Sequence, residues 1–79
     1  MKNFLNVGYN NFVALEDVVA ITSIEGAQTK RNIAWAKEHN HLIDATQGRK
    51  TRSVIYTKSN HIVLSSFQPD TLAGRLETF

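Results

Sequence analysis

Three of the nine basic residues of this 79-residue chain, Arg49, Lys50 and Arg52, fall within four positions directly after Gly48. Their chemistry is anion binding. Arginine offers a planar fork of N–H donors and lysine a compact positive charge, and phosphate oxygens suit both. Glycine allows the φ > 0 geometry or close backbone approach that a phosphate contact often uses. The only acid of the stretch 44–53 is Asp44, at its far end. The strand-like run Ser53 to Thr57 follows at once, so the cations belong to a turn leading into a strand. A solvated turn that merely keeps a strand soluble is the plainer reading. Lys30 and Arg31 form a possible second basic patch.

Other chemistries find less support. His39-Asn40-His41 spells a nuclease motif name, but such nucleases take those residues from separate positions. A metal site from His39, His41 and Asp44 would need three side chains to converge across a helix end, so no metal and no cofactor is expected. Gly48-Arg49-Lys50-Thr51 resembles the end of a P-loop. That pattern wants glycine directly before the lysine and another five residues earlier, followed by a helix. Here those positions hold Arg49 and Asp44, and a strand follows. No Ser-His-acid spacing or carboxylate pair stands out. No catalytic residue, enzyme activity or small-molecule substrate is expected.

The net charge of +2 conceals an asymmetry. Residues 1–28 hold one base and three acids, residues 29–58 seven bases and two acids, and residues 59–79 one base and two acids. A basic middle third is the footprint of an anionic partner, most often nucleic acid. The length allows one domain, residues 1–79. A chain this short buries only about 60% of its unfolded surface. There is no cysteine to staple it, so self-association is an expected source of stability. No apolar run reaches the roughly 18 residues of a membrane span, and Met1-Lys2-Asn3-Phe4 lacks a signal-peptide core. A cytoplasmic protein with no membrane contact is expected.

The elements that must hold the cations follow in order. Phe4 to Val7 and Phe12 to Leu15 are short strands around a turn, Gly8-Tyr9-Asn10-Asn11. Glu16-Asp17 turns the chain again. Val18 to Ile24 is β-branched and apolar, which predicts a central strand buried on both faces. Gly26 breaks it, and good helix formers predict a helix over Ala27 to His39. Ala27, Ala34 and the Lys37 stem lie near one face of that helix, with Ile33 beside them. Leu42 to Ala45 is a strand, then comes the basic turn. Ser53 to Thr57 and His61 to Ser65 form a hairpin through Lys58-Ser59-Asn60. Gln68-Pro69-Asp70 starts a helix, which Leu72 and Leu76 would dock. The fold class is α+β, a small mostly antiparallel sheet with one central helix and a short C-terminal helix. Trp35 fits the buried helix face poorly. An interface residue and a partly buried core residue are both open readings.

The blocks Ile43-Asp44-Ala45-Thr46, Gly48-Arg49-Lys50-Thr51-Arg52, Val63-Leu64-Ser65 and Gln68-Pro69-Asp70-Thr71 resemble the RemA family of bacterial extracellular matrix regulators. Asn6-Val7-Gly8 and Ala27 to Arg31 fit the same pattern, and the likeness covers roughly Phe4 to Leu76. The resemblance implies a non-enzymatic DNA-binding protein that forms a ring and activates transcription. It implies that Arg49 and Lys50 contact DNA. This chain departs from the family in several places. Lys50 stands where a second Arg is usual, Gln47 replaces an aromatic, and Ile24 and Gly26 replace Pro and Ser. Asp17 occupies the place of a DNA-contacting Arg, on a turn expected beside the basic rim.

Two function classes remain. One is a DNA-binding module using Arg49, Lys50 and Arg52, with Lys30 and Arg31, and partnered by DNA and by copies of itself. Arg52 shares a strand face with Val54 and Tyr56, so it could instead serve the fold at the rim of that face. The other class is a self-assembling adaptor whose basic patch meets an acidic protein.

Overall fold

The computed structural model describes residues 4–76. Its organising pair is β5 (Ser53–Thr57) with β6 (Ile62–Ser65), antiparallel, with Val54 opposite Leu64 and Ile55 opposite Val63. Apolar residues on both faces of these strands require cover on both sides. On one side Ile55 and Val63 pack with Leu5, Val7, Ala45 and Leu72; on the other, Val54, Ile62 and Leu64 pack with Ala36. Burying such an aliphatic side chain contributes about 1.5–3 kcal/mol.

The remaining elements supply the cover. β1 (Phe4–Gly8) and β2 (Asn11–Ala14) form a two-stranded antiparallel sheet, and β1 contributes Leu5 and Val7 to the first core. A single 3₁₀ turn, Leu15–Asp17, leads into β3 (Val18–Ser23). α1 (Ala27–Glu38) covers the second face, and α2 (Pro69–Leu76) the first. The four-stranded sheet runs β3-β5-β6-β4, where β4 (Leu42–Asp44) lies parallel to β6 and the other neighbours are antiparallel. The result is α+β, with the helix and hairpin order expected from the sequence.

Two local expectations need correction. β3 is an edge strand rather than a central one. None of its residues is fully buried, and Val19 is 61% exposed. β-branched composition reports a fit to a pleated surface and does not encode strand order. The buried stripe of α1 runs through Ile33 and Ala36, while Ala27 and Ala34 face solvent. Leu72 is fully buried as expected, but the Leu76 side chain lies outside the described residues. No helix among the described residues is long and apolar enough to cross a membrane.

Candidate nucleic-acid interface

The sheet order dictates where the cations go. β4 and β5 are consecutive in the chain but lie on opposite sides of β6. Residues 45–52 must therefore arch over the C-terminal end of β6, a span of about 10 Å at normal strand spacing. Each foot of the arch is tied to β6 by its backbone. The Ala45 N–H donates to the Leu64 carbonyl at 3.0 Å, and the Arg52 N–H donates to the Ser65 carbonyl at 2.9 Å.

The crown of the arch is a tight turn. The Arg49 N–H donates to the Thr46 carbonyl at 3.0 Å, with Gln47 and Gly48 at φ 54° and 77°. Two successive positive φ values match a type I′ turn, where glycine in the second place is favoured. Nothing stands within 4 Å of where a Gly48 Cβ would sit, so the crown is open to a ligand. Asp44 braces the turn from below. One of its carboxylate oxygens accepts from the Thr46 N–H at 2.9 Å and from the Thr46 hydroxyl at 2.6 Å. The hydroxyl bond first, then the N–H bond, holds the Asp44 carboxyl below its ordinary pKa of 3.8. Thr46 itself is buried. The one acid of the stretch 44–53 is thus already engaged with the backbone that carries the cations.

Arg49, Lys50 and Arg52 are exposed. Among the described residues no hydrogen bond or ion pair engages their side chains. Arg52 precedes β5 at the rim of the α1 face, so its guanidinium stands outside the core. Lys30 and Arg31 arrive from another element. Ser23 pairs with Ser53, so β3 ends at the same edge of the sheet, and α1 starts four residues later. Its first half carries Lys30 and Arg31, both exposed, with Arg31 donating to the Gln28 side chain at 2.9 Å. α1 thus begins at the arch end of the sheet, and one residue past Arg31 the Asn32 side chain already donates to the Tyr56 hydroxyl at 3.0 Å, toward the other end of β5.

The expectation for Asp17 is not met within this chain. Val18 pairs with Thr57, which places Asp17 at the other end of β3 from the basic arch. Five residues of strand separate the two ends, about 16 Å. Asp17 holds the β5–β6 turn there. Its carbonyl accepts from the Lys58 N–H at 2.8 Å, and its carboxylate accepts from the Ser59 hydroxyl at 3.1 Å.

That far end is aromatic. The ring of His39 stacks on Trp35 at 4.3 Å between centroids, Trp35 meets His41 edge-on at 5.4 Å, and His41 stacks on His61 at 5.1 Å. Trp35 remains 47% exposed beside a shallow cleft of about 230 Å³ that Asn32, Tyr56 and His61 also line. Asp44 lies at the opposite end of β4 from His41, so it does not join His39 and His41. Among the described residues no group of three metal-ligating side chains converges.

Against known proteins, residues 4–76 match the model of the family described as extracellular matrix regulatory protein A-like, or RemA-like. The chain belongs to the RemA-like family. Relatives from Bacillus cytotoxicus, Bacillus mycoides and Bacillus cereus are each 53% identical over 73 residues, which cover 92% of this chain and 84% of theirs. Their names assign them a regulatory role. RemA-like membership points to a regulatory protein rather than an enzyme.

Two residues that brace the arch of this RemA-like chain escaped sequence reasoning. Ser65 joins three segments at the end of β6. Its carbonyl holds Arg52, its hydroxyl donates to the Val7 carbonyl at 2.8 Å and accepts from the Phe67 N–H at 3.1 Å. Nothing in a strand serine announces this. The Asp44 brace did have a signal. An aspartate two residues before a backbone N–H is a common turn former.

Proposed function

We propose that this protein is a non-enzymatic, cytoplasmic DNA-binding regulator of transcription that assembles into a ring and grips DNA through its repeated basic arch. The observation that carries the reading is the braced arch that leaves Arg49, Lys50 and Arg52 exposed at the end of β6; Lys30 and Arg31 on α1 are proposed as a second basic patch. Several cations on one braced turn suit a polyphosphate backbone better than a single point anion. Self-assembly has support of its own. Phe4, Phe12, Val19 and Ile43 are each about half exposed or more, and the sheet ends in two unpaired edges, β3 and β4. Exposed apolar surface and open edges of that kind are pairing surfaces. By its family's description the regulated genes are those of the extracellular matrix.

The test is binding to duplex DNA at several salt concentrations beside a solution mass measurement. Neutralising four to eight phosphates gives a log–log salt slope of about −4 to −7. The mass should be a multiple of the 8.9 kDa chain. A monomer mass at micromolar concentration removes the ring. An assembled protein with no affinity for DNA at low salt turns the reading to an adaptor for an acidic protein.

A further inference from the structure

The tip of the β1–β2 hairpin shares the end of β6 with the basic arch. Gly8 pairs with Asn11, which leaves Tyr9 and Asn10 as a two-residue turn at φ 52° and 64°. Asparagine tolerates that region well. Tyrosine does not, and a bulky residue held at positive φ is strained. The surrounding chain enforces the geometry. The Asn6 side chain accepts from the Gly8 N–H at 2.9 Å, and the Asn11 amide donates to the Gly8 and Tyr9 carbonyls at 3.0 and 3.3 Å.

The tip is also fixed in place. A Cβ at Gly8 would stand 3.5 Å from the Phe67 ring. The Val7 carbonyl takes the Ser65 hydroxyl, and the Ser65 carbonyl takes the Arg52 N–H. One residue thus joins the hairpin tip to the foot of the arch. Tyr9 emerges there 48% exposed, a rigid aromatic at the cationic end. Among the described residues the other exposed aromatics do not share this place: Trp35 lies at the far end, and Phe4 and Phe12 lie along the hairpin strands.

We propose that Tyr9 is a DNA contact in its own right, its ring packing on the sugar–phosphate backbone that the arch holds. This rests on the DNA-binding reading and adds to it a non-ionic contact. Phosphate neutralisation releases counterions and sets the salt slope, whereas ring packing does not. Losing the ring should therefore weaken binding equally at all salt concentrations.

The test uses Tyr9→Asn and Tyr9→Phe in the full chain, with duplex DNA titrated at several salt concentrations. Tyr9→Asn relieves the backbone strain, so it should raise Tm by about 5 °C. It should lower affinity about tenfold with the salt slope unchanged. Tyr9→Phe keeps the ring and should bind as the parent does. Stability that rises while affinity falls is a pair of signs that a merely structural tyrosine cannot give. A folded Tyr9→Asn variant with parental affinity overturns the proposal, and so does a loss of affinity with a shallower slope. In both cases the parent still binds DNA, so the regulator reading survives. A parent protein that binds no DNA overturns both.

Discussion

The two ends of the four-stranded sheet carry the chain's most distinctive side chains and hold them in opposite ways. At the C-terminal end of β6, main-chain bonds from Ala45 and Arg52 fix an arch, and the cationic side chains of Arg49, Lys50 and Arg52 stand clear of it. At the other end the side chains engage one another, with Trp35 stacked on His39 and His41 on His61. Groups used up in mutual contact chiefly serve the fold. Groups that the backbone positions and leaves exposed are available to a ligand. The contrast makes each end respond differently to mutation.

The sharpest separation is Arg49→Ala with Lys50→Ala. Both lie on an exposed turn, so the folded state should lose less than about 0.5 kcal/mol. DNA binding should be abolished, because each subunit loses two phosphate contacts and a ring multiplies the loss. Equal affinity in a DNA titration, with the solution mass unchanged, would break the comparison at its strongest point.

Ser65→Ala should act on the arch from within the fold. It leaves the Val7 carbonyl and the Phe67 N–H without their partner, at a cost of about 1–3 kcal/mol. Chemical denaturation measures this, and a variant as stable as the parent would show that the hairpin is held by packing alone.

Asp44→Ala sets two effects against each other. Removing an acid beside the cations favours anion binding by simple charge. Removing the two bonds to Thr46 loosens the turn that carries Arg49. The brace should win, and affinity should fall by roughly threefold. A tighter complex would show that the turn holds itself. The pH dependence follows the same bonds. Folding lowers the Asp44 pKa, so its contribution to stability is present above the ordinary 3.8 and is lost as pH falls through the folded value. The Thr46 amide signal in NMR should titrate with its midpoint below the ordinary 3.8.

The smallest effect is expected at the far end. Asp17→Ala removes a bond to Ser59 and should cost about 0.5–1 kcal/mol. A subunit that keeps its arch should bind DNA unchanged. A change in affinity without a change in assembly would mean that the far end of one subunit reaches the DNA held by another.

Much of this was legible in the residues themselves. Helix formers after Gly26 marked α1, the Lys58-Ser59-Asn60 turn marked the β5–β6 hairpin, and Pro69 marked the start of α2. The basic turn was visible because charge and glycine are local signals. The arch over β6 was not, because it depends on strand order, and the β3 and β4 sequences do not state which neighbour they take. The braces were half visible: Asp44 lies two residues from Thr46, but Ser65 meets Val7 only after the whole chain has closed.

The arch also fixes when, during synthesis, the protein can first hold its cationic turn in place. All five cations and both arms of the arch leave the ribosome before β6 does. Until Leu64 and Ser65 are made, the Ala45 and Arg52 N–H groups have nothing to stand on. The β5–β6 pair is local and can close within about 1–10 μs once its second strand exists. The parallel β4 must then find the outer side of that strand. A chain that stops before residue 64 thus carries every basic residue of the site and no site. Its charge can attract nucleic acid while it has no means of orienting on it.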